Sequence, residues 1–217
     1  MIDFDEIIDK YLIHENKPKE IGRYYPSEIG GCIRKTWFSY KNPKEVGADL
    51  LRIFEAGNLL HEFISDAIKS EKNPDIELVK NEMPIRIEEK DFIISGRIDN
   101  LIMLKLNGEQ YLVEVKSTKM LPRYANESHE MQLQLYMHAT NIHKGFLLYI
   151  QKDNLKTTSF ESKYDENMAQ NILRRFRELH LSLKNDKMPK PEAKLSDDKR
   201  WMCSYCAYKE NCDKAGN

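Results

Sequence analysis

Four cysteines stand towards the two ends of the 217-residue chain, and they limit how it can fold. Cys32 lies alone early in the sequence, whereas Cys203, Cys206 and Cys212 follow one another close to the C-terminus. In a reducing compartment thiols stay free unless a metal takes them, so this pattern favours metal ligation over disulfides. A shared metal would tie an early helix to the tail across about 170 positions, closing a long loop.

The spacing of these thiols leaves the identity of the metal open. Structural zinc commonly uses two paired hooks, whereas here one close pair, Cys203 and Cys206, is accompanied by two separated thiols. Four thiolates also hold iron–sulfur clusters. Zinc and an iron–sulfur cluster are therefore both candidates on spacing alone.

Composition indicates one globular domain, because 41% of the residues are hydrophobic and 32% are charged. The N-terminus is acidic, and no apolar run approaches the roughly 18 residues of a membrane span. We therefore expect a cytoplasmic protein without membrane contact. The net charge of -1 gives no global nucleic-acid footprint, so DNA binding would depend on local patches. The oligomeric state stays open.

Periodicity and turn residues predict an α/β fold with a central mixed or antiparallel sheet flanked by helices. Helices are expected over 3–13, from Ser27 as a cap to about 40, and over 48–71, 127–142 and 165–185. Strands are expected over 76–81, 84–89, 91–105, 110–117, 145–151 and 155–161. The apolar side of helix 48–71 is expected to consist mostly of Leu50, Leu51, Phe54, Leu59, Phe63 and Ile68. A connector, 186–200, leads into the cysteine tail.

The dipeptide Asn107-Gly108 is a strong two-residue hairpin signal between two apolar strands. With these turn residues, Asp99 faces Lys116 and Leu101 faces Glu114 across the hairpin. Opposite residues share a sheet face, as do residues two apart on one strand. Asp99, Glu114 and Lys116 are therefore expected to project together, and the valines at 113 and 115 to point to the other face.

Two carboxylates and an ammonium at one place suit metal-assisted phosphodiester hydrolysis. Asp99 and Glu114 would hold Mg2+ or Mn2+ through oxygen, while Lys116 positions water or stabilises charge on the phosphate. A solvated strand face in so charged a chain would show the same residues, which is the alternative interpretation. Gln132 and Tyr136, four residues apart on a helix, can overhang the same spot.

His61 can offer a nitrogen ligand to the same metal. Taken singly, His61 is an ordinary helix histidine, and Tyr136 is an aromatic residue at the edge of the core. Their value as site residues depends on the whole combination.

The combination resembles the RecB-like nucleases of the PD-(D/E)xK superfamily, over about residues 25–212. The residues that occur in that family's order are His61, Gly96-x2-Asp99, Glu114-x-Lys116 and Gln132-x3-Tyr136. Asp99 follows Gly-Arg-Ile rather than a proline, as is usual in the RecB-like branch. One cysteine in an early helix, within 27–37, and three in the tail resemble the iron–sulfur members. Without a helicase motor, the chain is most similar to the CRISPR-associated exonuclease family "Cas-four", which helps prepare new spacers.

The resemblance implies the roles of the site residues. His61, Asp99 and Glu114 would be metal ligands together with the main-chain carbonyl of Val115. Lys116 would be the catalytic lysine. Gln132 and Tyr136 would steer DNA or support the site.

The resemblance also implies the cofactor and its place in the chain. The four cysteines would hold an iron–sulfur cluster, [4Fe-4S] in preference to [2Fe-2S], with a structural rather than a redox role. The whole chain, 1–217, would be a single nuclease domain with its core at about 48–185. The cluster would lie in a helical lobe formed by about 25–45 and 186–214.

The implied activity is that of a DNA exonuclease acting on single-stranded DNA or overhangs, with the CRISPR integrase complex as partner. A stand-alone repair or viral nuclease, a non-catalytic DNA-end binding subunit and a zinc-stabilised interaction protein are the alternatives. Basic and aromatic residues near the cysteines indicate a DNA path beside the cluster or, alternatively, packing around it. These residues are Arg34, Lys35, Trp37, Phe38, Tyr40, Lys41, Lys199, Arg200, Trp201, Tyr205, Tyr208 and Lys209.

Overall fold

The computed structural model describes residues 2–13 and 19–216 of the chain. The α-helices are α1 (Phe4–Leu12), α2 (Ile33–Lys41), α3 (Ala48–Lys69), α4 (Glu127–Thr140), α5 (Glu166–Lys184), α6 (Glu192–Leu195) and α7 (Lys209–Ala215). The strands are β1 (Arg23–Tyr24), β2 (Ile76–Glu88), β3 (Ile93–Leu104), β4 (Glu109–Thr118), β5 (Lys144–Gln151) and β6 (Thr157–Lys163). Short 3-10 helices cover Pro26–Glu28 and Arg200–Tyr205. Within the described residues, no helix has the length and apolar character needed to cross a bilayer.

The strands form one mixed sheet in the order β1-β3-β4-β5-β6, with β2 paired to β3 as well. The pairs β1–β3 and β4–β5 are parallel, and the pairs β2–β3, β3–β4 and β5–β6 are antiparallel. The predicted α/β fold, a central mixed sheet flanked by helices, is therefore confirmed. The predicted strands 76–81 and 84–89 are one strand, β2, with an irregularity between Leu78 and Lys80.

Helices pack on both faces of the sheet because the strands carry apolar side chains on both. α4 contributes Leu133 and Met137 to a cluster with Leu112 and Leu147 of the sheet. α3 covers the opposite face, where the buried residues are Ile64, Ile102, Tyr111, Val113, Val115 and Ile150. A further cluster joins α2 to α5 and includes Trp37, Phe38, Phe176, Leu179 and Tyr208. Helix α2 and the tail therefore share one apolar core with α5.

The turn between β3 and β4 differs from the expected two-residue hairpin. It spans Lys105–Gly108, where the amide of Gly108, at a φ of 71°, donates to the carbonyl of Leu104 at 2.8 Å. The longer turn moves the register, so Leu101 pairs with Leu112 rather than with Glu114. A shift of two residues leaves every side chain on its face, because the side-chain period of a strand is two.

Two helix predictions were wrong in detail. Ser27 does not cap α2, because Gly30 and Gly31 separate a 3-10 turn from a helix whose N-cap is Cys32. The apolar side predicted for α3 is largely exposed, since Ile64 and Ser65 are its buried residues. The exposed residues of that predicted side are Leu50, Phe54, Leu59 and Phe63, whereas Leu51 and Ile68 are half-buried.

Candidate active site

The site lies where β3 and β4 separate. The two strands pair from Leu104 opposite Glu109 to Asn100 opposite Val113, and there the ladder ends. Beyond that point β4 continues beside β5, while β3 continues beside β2 and reaches β1. Continuing the register by one residue puts Glu114, not Lys116 as predicted, opposite Asp99. Both carboxylates, with Lys116, open into one cleft at this fork.

The backbone of β4 holds the Asp99 side chain in place, although β3 no longer pairs with β4 at this point. Its Oδ2 accepts a hydrogen bond from the amide of Val115 at 2.7 Å. Its Oδ1 lies 3.3 Å from Nδ1 of His61, which α3 brings over the fork. Burial lowers the pKa of His61, but the contacts with Asp99 outweigh burial and raise it overall. The predicted ligands His61 and Asp99 are thus direct neighbours.

Glu114 is almost fully buried, with 3% of its side chain exposed. Its Oε1 accepts from Nζ of Lys116 at 2.7 Å, while Oε2 has no hydrogen-bond partner. Burial, followed by the negative charge of Asp99, raises the pKa of Glu114 to about 7. A buried, unpartnered carboxylate oxygen beside a second carboxylate is a costly arrangement that a bound cation relieves. Asp99 and Glu114 therefore offer two carboxylates, one with an unpartnered oxygen, of the kind that a divalent cation binds, although His61, Asp99 and Glu114 are not placed as a set of three ligands around one ion.

A hydrogen-bonded chain orients the lysine. Nζ of Lys116 donates to Oε1 of Gln132 at 3.0 Å, and Nε2 of Gln132 donates to the hydroxyl of Tyr136 at 2.9 Å. Both partners are buried on α4, one helical turn apart, as their spacing predicted. Burial, with a smaller effect from Glu114, raises the pKa of Tyr136, so its hydroxyl stays neutral. The ammonium is therefore fixed between Glu114 and Gln132.

The cleft around these residues has a volume of about 970 Å³ and carries cations that the sequence analysis did not single out. Arg23, Arg97 and Lys152 line it, and Nη1 of Arg97 donates to Glu82 of β2 at 2.9 Å. The position of Arg97 in Gly96-Arg97-Ile98-Asp99 was the available signal, because residues two apart on a strand share a face. Arg23 and Lys152 come from a two-residue strand and a turn, where sequence periodicity gives no such signal.

The four cysteines line a second cavity, of about 380 Å³, between α2 and the tail. Burial raises the pKa of the Cys203 thiol, and the three neighbouring cysteines and Asp213 raise it further. Over residues 2–13 and 19–216, however, no three His, Cys, Asp or Glu side chains are placed so that they could hold one metal ion. The predicted cysteines thus share a cavity without forming a ligand set there.

Polar contacts tie the tail to α2 beside this cavity. Arg34 donates to the carbonyls of Pro189 and Gly216, each at 2.6 Å, and its Nη1 lies 3.7 Å from Sγ of Cys212. Glu192 accepts from the amide of Ile33 at 2.7 Å, at the start of α2. Arg175 donates to Glu192 at 2.8 Å. These hydrogen bonds link α2 directly to the tail, and the ion pair links α5 to it.

The residues near the cysteines that could have formed a DNA path divide into two groups. Trp37, Phe38, Tyr40, Tyr208 and Arg34 are buried, so packing accounts for them. Trp201 and Tyr205 are exposed, with 56% and 84% of their surfaces accessible. Lys41 is ion-paired with Asp186, Lys199 with Glu127 and Lys209 with Asp213, whereas Lys35 and Arg200 are exposed at the cavity.

Comparison with known proteins identifies the family of the chain. The model of the PD-(D/E)XK nuclease superfamily matches residues 26–213. The CRISPR-associated exonuclease Cas4 of Saccharolobus solfataricus is 25% identical over 201 residues, which cover 92% of this chain and 91% of the relative. The resemblance to the CRISPR-associated exonuclease family is thereby confirmed.

Solved structures show the same fold. The crystal structure of SSO0001 superposes with a TM-score of 0.66 at 23% identity, over 95% of this chain and 94% of that one. LHK-Exo in complex with dAMP, from Laribacter hongkongensis, gives a TM-score of 0.51 at 14% identity, over 81% of this chain and 96% of that one. Because the superfamily model spans most of the sequence, the chain belongs to the PD-(D/E)XK nuclease superfamily.

Proposed function

We propose that this nuclease is a metal-dependent DNA exonuclease that trims single-stranded DNA or overhangs. One observation carries the proposal: Asp99, Glu114 and Lys116 meet at the fork between β3 and β4, with one buried oxygen of Glu114 unpartnered. A cation beside two carboxylates and an ammonium is the arrangement that phosphodiester hydrolysis requires. A non-catalytic DNA-end binder has no need of it.

The residues of the fork would have three different roles: metal binding, charge stabilisation and positioning of the lysine. His61, Asp99, Glu114 and the main-chain carbonyl of Val115 would hold Mg2+ or Mn2+, which when bound supplies Lewis acidity to the phosphate and a more acidic water. Lys116 places its ammonium beside the scissile phosphate and offsets its charge. The Gln132 side chain and Tyr136 keep that ammonium in place.

The test is cleavage of a labelled oligonucleotide, single-stranded or duplex with an overhang, in Mg2+, in Mn2+ and in EDTA. We expect products that shorten from an end in either metal and none in EDTA. Binding without cleavage in both metals would overturn the proposal and favour a DNA-end binding subunit.

We infer that the cysteine cavity holds an iron–sulfur cluster, [4Fe-4S] rather than [2Fe-2S], in the lobe formed by about 25–45 and 186–214. Although no three of these thiols are placed to hold one metal ion among the described residues, Cys32, Cys203, Cys206 and Cys212 line one cavity, and the Cys206 and Cys212 side chains pack against the apolar cluster of α2 and α5. Protein purified without oxygen should be brown and contain iron and acid-labile sulfide. A colourless folded protein with stoichiometric zinc would contradict this and indicate a zinc-stabilised structure.

We also propose that trimming prepares spacers for CRISPR adaptation. The similarity to the Cas4 exonuclease supports this proposal. A net charge near zero leaves only local patches to hold the strand, so trimming alone should be weakly processive and salt-sensitive. With the CRISPR integrase complex from its own source, the protein should trim an overhang to a defined length. Identical products with and without the integrase would favour a stand-alone repair or viral nuclease.

A further inference from the structure

Two exposed apolar residues of α3 line the same cleft as the acidic residues. Ile53 and Phe54 expose 52% and 53% of their surfaces and lie at the cleft with Gly57, Asn58 and His61. Packing within the described residues leaves about half of each surface open, even though Ile53 lies three helical turns before the buried Ile64 on nearly the same side of α3. Large apolar side chains beside an acidic floor indicate a ligand with apolar as well as charged parts.

The cationic residues of the cleft indicate the charge of that ligand. Arg23, Arg97 and Lys152 line it together with Lys116, so it offers cations to phosphate groups. Tyr25, with 40% of its surface exposed, adds an aromatic ring to the same lining. Cations and exposed aromatic rings together match the two components of a nucleic acid strand, its phosphates and its bases.

We infer that Phe54 stacks on an unpaired base next to the phosphate at Asp99 and Glu114, with Tyr25 as a second base contact. The inference deepens the proposed function and rests on it: the cleft selects an unpaired strand through base contact. In a duplex the bases are stacked on one another, and a ring at the cleft meets phosphates and sugars instead. Phe54 therefore contributes to binding only when the strand is single.

Phe63 provides a matched control on the same helix. It is the same residue type with 46% of its surface exposed, and it is absent from the lining of the cleft. Nine residues separate it from Phe54, which places the two side chains on roughly opposite sides of α3. Both substitutions remove an exposed ring, so they share any general effect on solubility or helix stability.

The experiment measures binding in EDTA, which separates base contact from catalysis. Wild type, Phe54→Ala, Phe54→Trp and Phe63→Ala are titrated against oligothymidylate and against an equally long strand of abasic deoxyribose phosphates. Phe54→Ala should bind oligothymidylate about 5- to 150-fold more weakly, the effect of losing one base–aromatic stack. It should bind the abasic strand as wild type does. Phe54→Trp should retain binding, and Phe63→Ala should match wild type on both strands.

Two outcomes separate this inference from the proposed function. If wild type cleaves DNA but Phe54→Ala and Phe63→Ala bind oligothymidylate equally well, base stacking is wrong while the nuclease activity stands. Equal loss of affinity for both strands in Phe54→Ala also overturns it, because the contact would then be to the backbone. If the expected pattern appears in a protein that cleaves nothing, base contact stands and the catalytic proposal fails.

Discussion

The acidic fork and the cysteine cavity bring distant residues together in different ways. At the fork, Asp99, Glu114 and Lys116 sit on neighbouring strands of one sheet, so strand geometry sets their spacing. At the cavity, Cys32 begins a helix, and the other three cysteines lie on a 3-10 turn, at its end and in a seven-residue helix. The fork is preorganised by the sheet, whereas the cavity depends on side-chain ties such as Arg34 to Pro189.

This difference predicts how substitutions at each site should affect the fold and the activity. Changes at the fork remove groups that the fold does not need, so activity should fall while the fold persists. Changes at the cavity remove links between the chain ends, so stability should fall first. The predictions below sharpen or break this contrast.

The largest effect is expected from the carboxylates. Asp99→Asn should lower metal-dependent cleavage about 10³-fold or more, because the proposed metal ligand loses its charge while the shape is kept. The thermal unfolding curve should stay within a few degrees of wild type. Glu109→Gln, on the neighbouring strand β4 but paired with Lys144 outside the cleft, is the control and should cleave normally. Loss of folding in Asp99→Asn would break the contrast.

The next effect concerns the pH dependence of the metal-free protein. Because folding raises the pKa of Glu114 from 4.5 to about 7, this residue favours the folded state below pH 4.5, and that advantage is lost as pH rises through 7. Glu114→Gln should therefore stabilise the protein at pH 8 by about 2 to 3 kcal/mol relative to its effect at pH 5. Urea unfolding in EDTA at both pH values measures this. A pH-independent difference would contradict the raised pKa of the buried Glu114 carboxyl.

At the cavity, Cys206→Ala should lower the free energy of unfolding by on the order of 2 to 3 kcal/mol, the stabilisation that a bound cofactor typically provides. Limited proteolysis should cut first within 186–216. Ser204→Ala, an exposed change in the same segment, serves as the control and should leave the protein stable. Tail protection equal to wild type would show that the polar ties alone hold the chain ends.

The smallest effect is expected from Tyr136→Phe. It removes the acceptor for Gln132 and loosens the ammonium of Lys116, at a cost of about 1 kcal/mol, or roughly fivefold in cleavage rate. Tyr111→Phe, whose hydroxyl donates to Glu109 away from the cleft, should leave the rate unchanged. Equal rates in both variants would remove Tyr136 from the set that orients the lysine.

The grouping of the fork residues was predictable from sequence, because a register error of two residues does not change the sheet face on which a side chain lies. The turn at Lys105–Gly108 is longer than the dipeptide Asn107-Gly108 indicated, so the register moved by two residues. Since faces alternate with a period of two, Asp99 and Glu114 still came together. The sequence did not indicate that the pairing of β3 with β4 ends at Asn100 and Val113, because this separation depends on the pairing of β3 with β1 and of β4 with β5.

The same reasoning failed on α3 and before α2. Apolar spacing on α3 predicted a core face, but Phe54 and Leu59 are exposed, because periodicity cannot tell a face that packs from one that awaits a ligand or partner. Before α2, Gly30 interrupts the expected helix, and a side chain there would have to overlap Ser128 of α4, 2.4 Å away. Close packing of this kind is tertiary, so local helix signals do not reveal it.

Lys116→Ala tests the central claim, that the fork is a hydrolytic metal site, most directly. In freshly purified protein, calorimetry with Mn2+ and cleavage of a single-stranded oligonucleotide are measured side by side, with Lys105→Ala in the turn as control. The account predicts that Lys116→Ala still binds Mn2+ through the carboxylates but cleaves at least about 10²-fold more slowly. Cleavage by Lys116→Ala at the wild-type rate would contradict the assignment of the site.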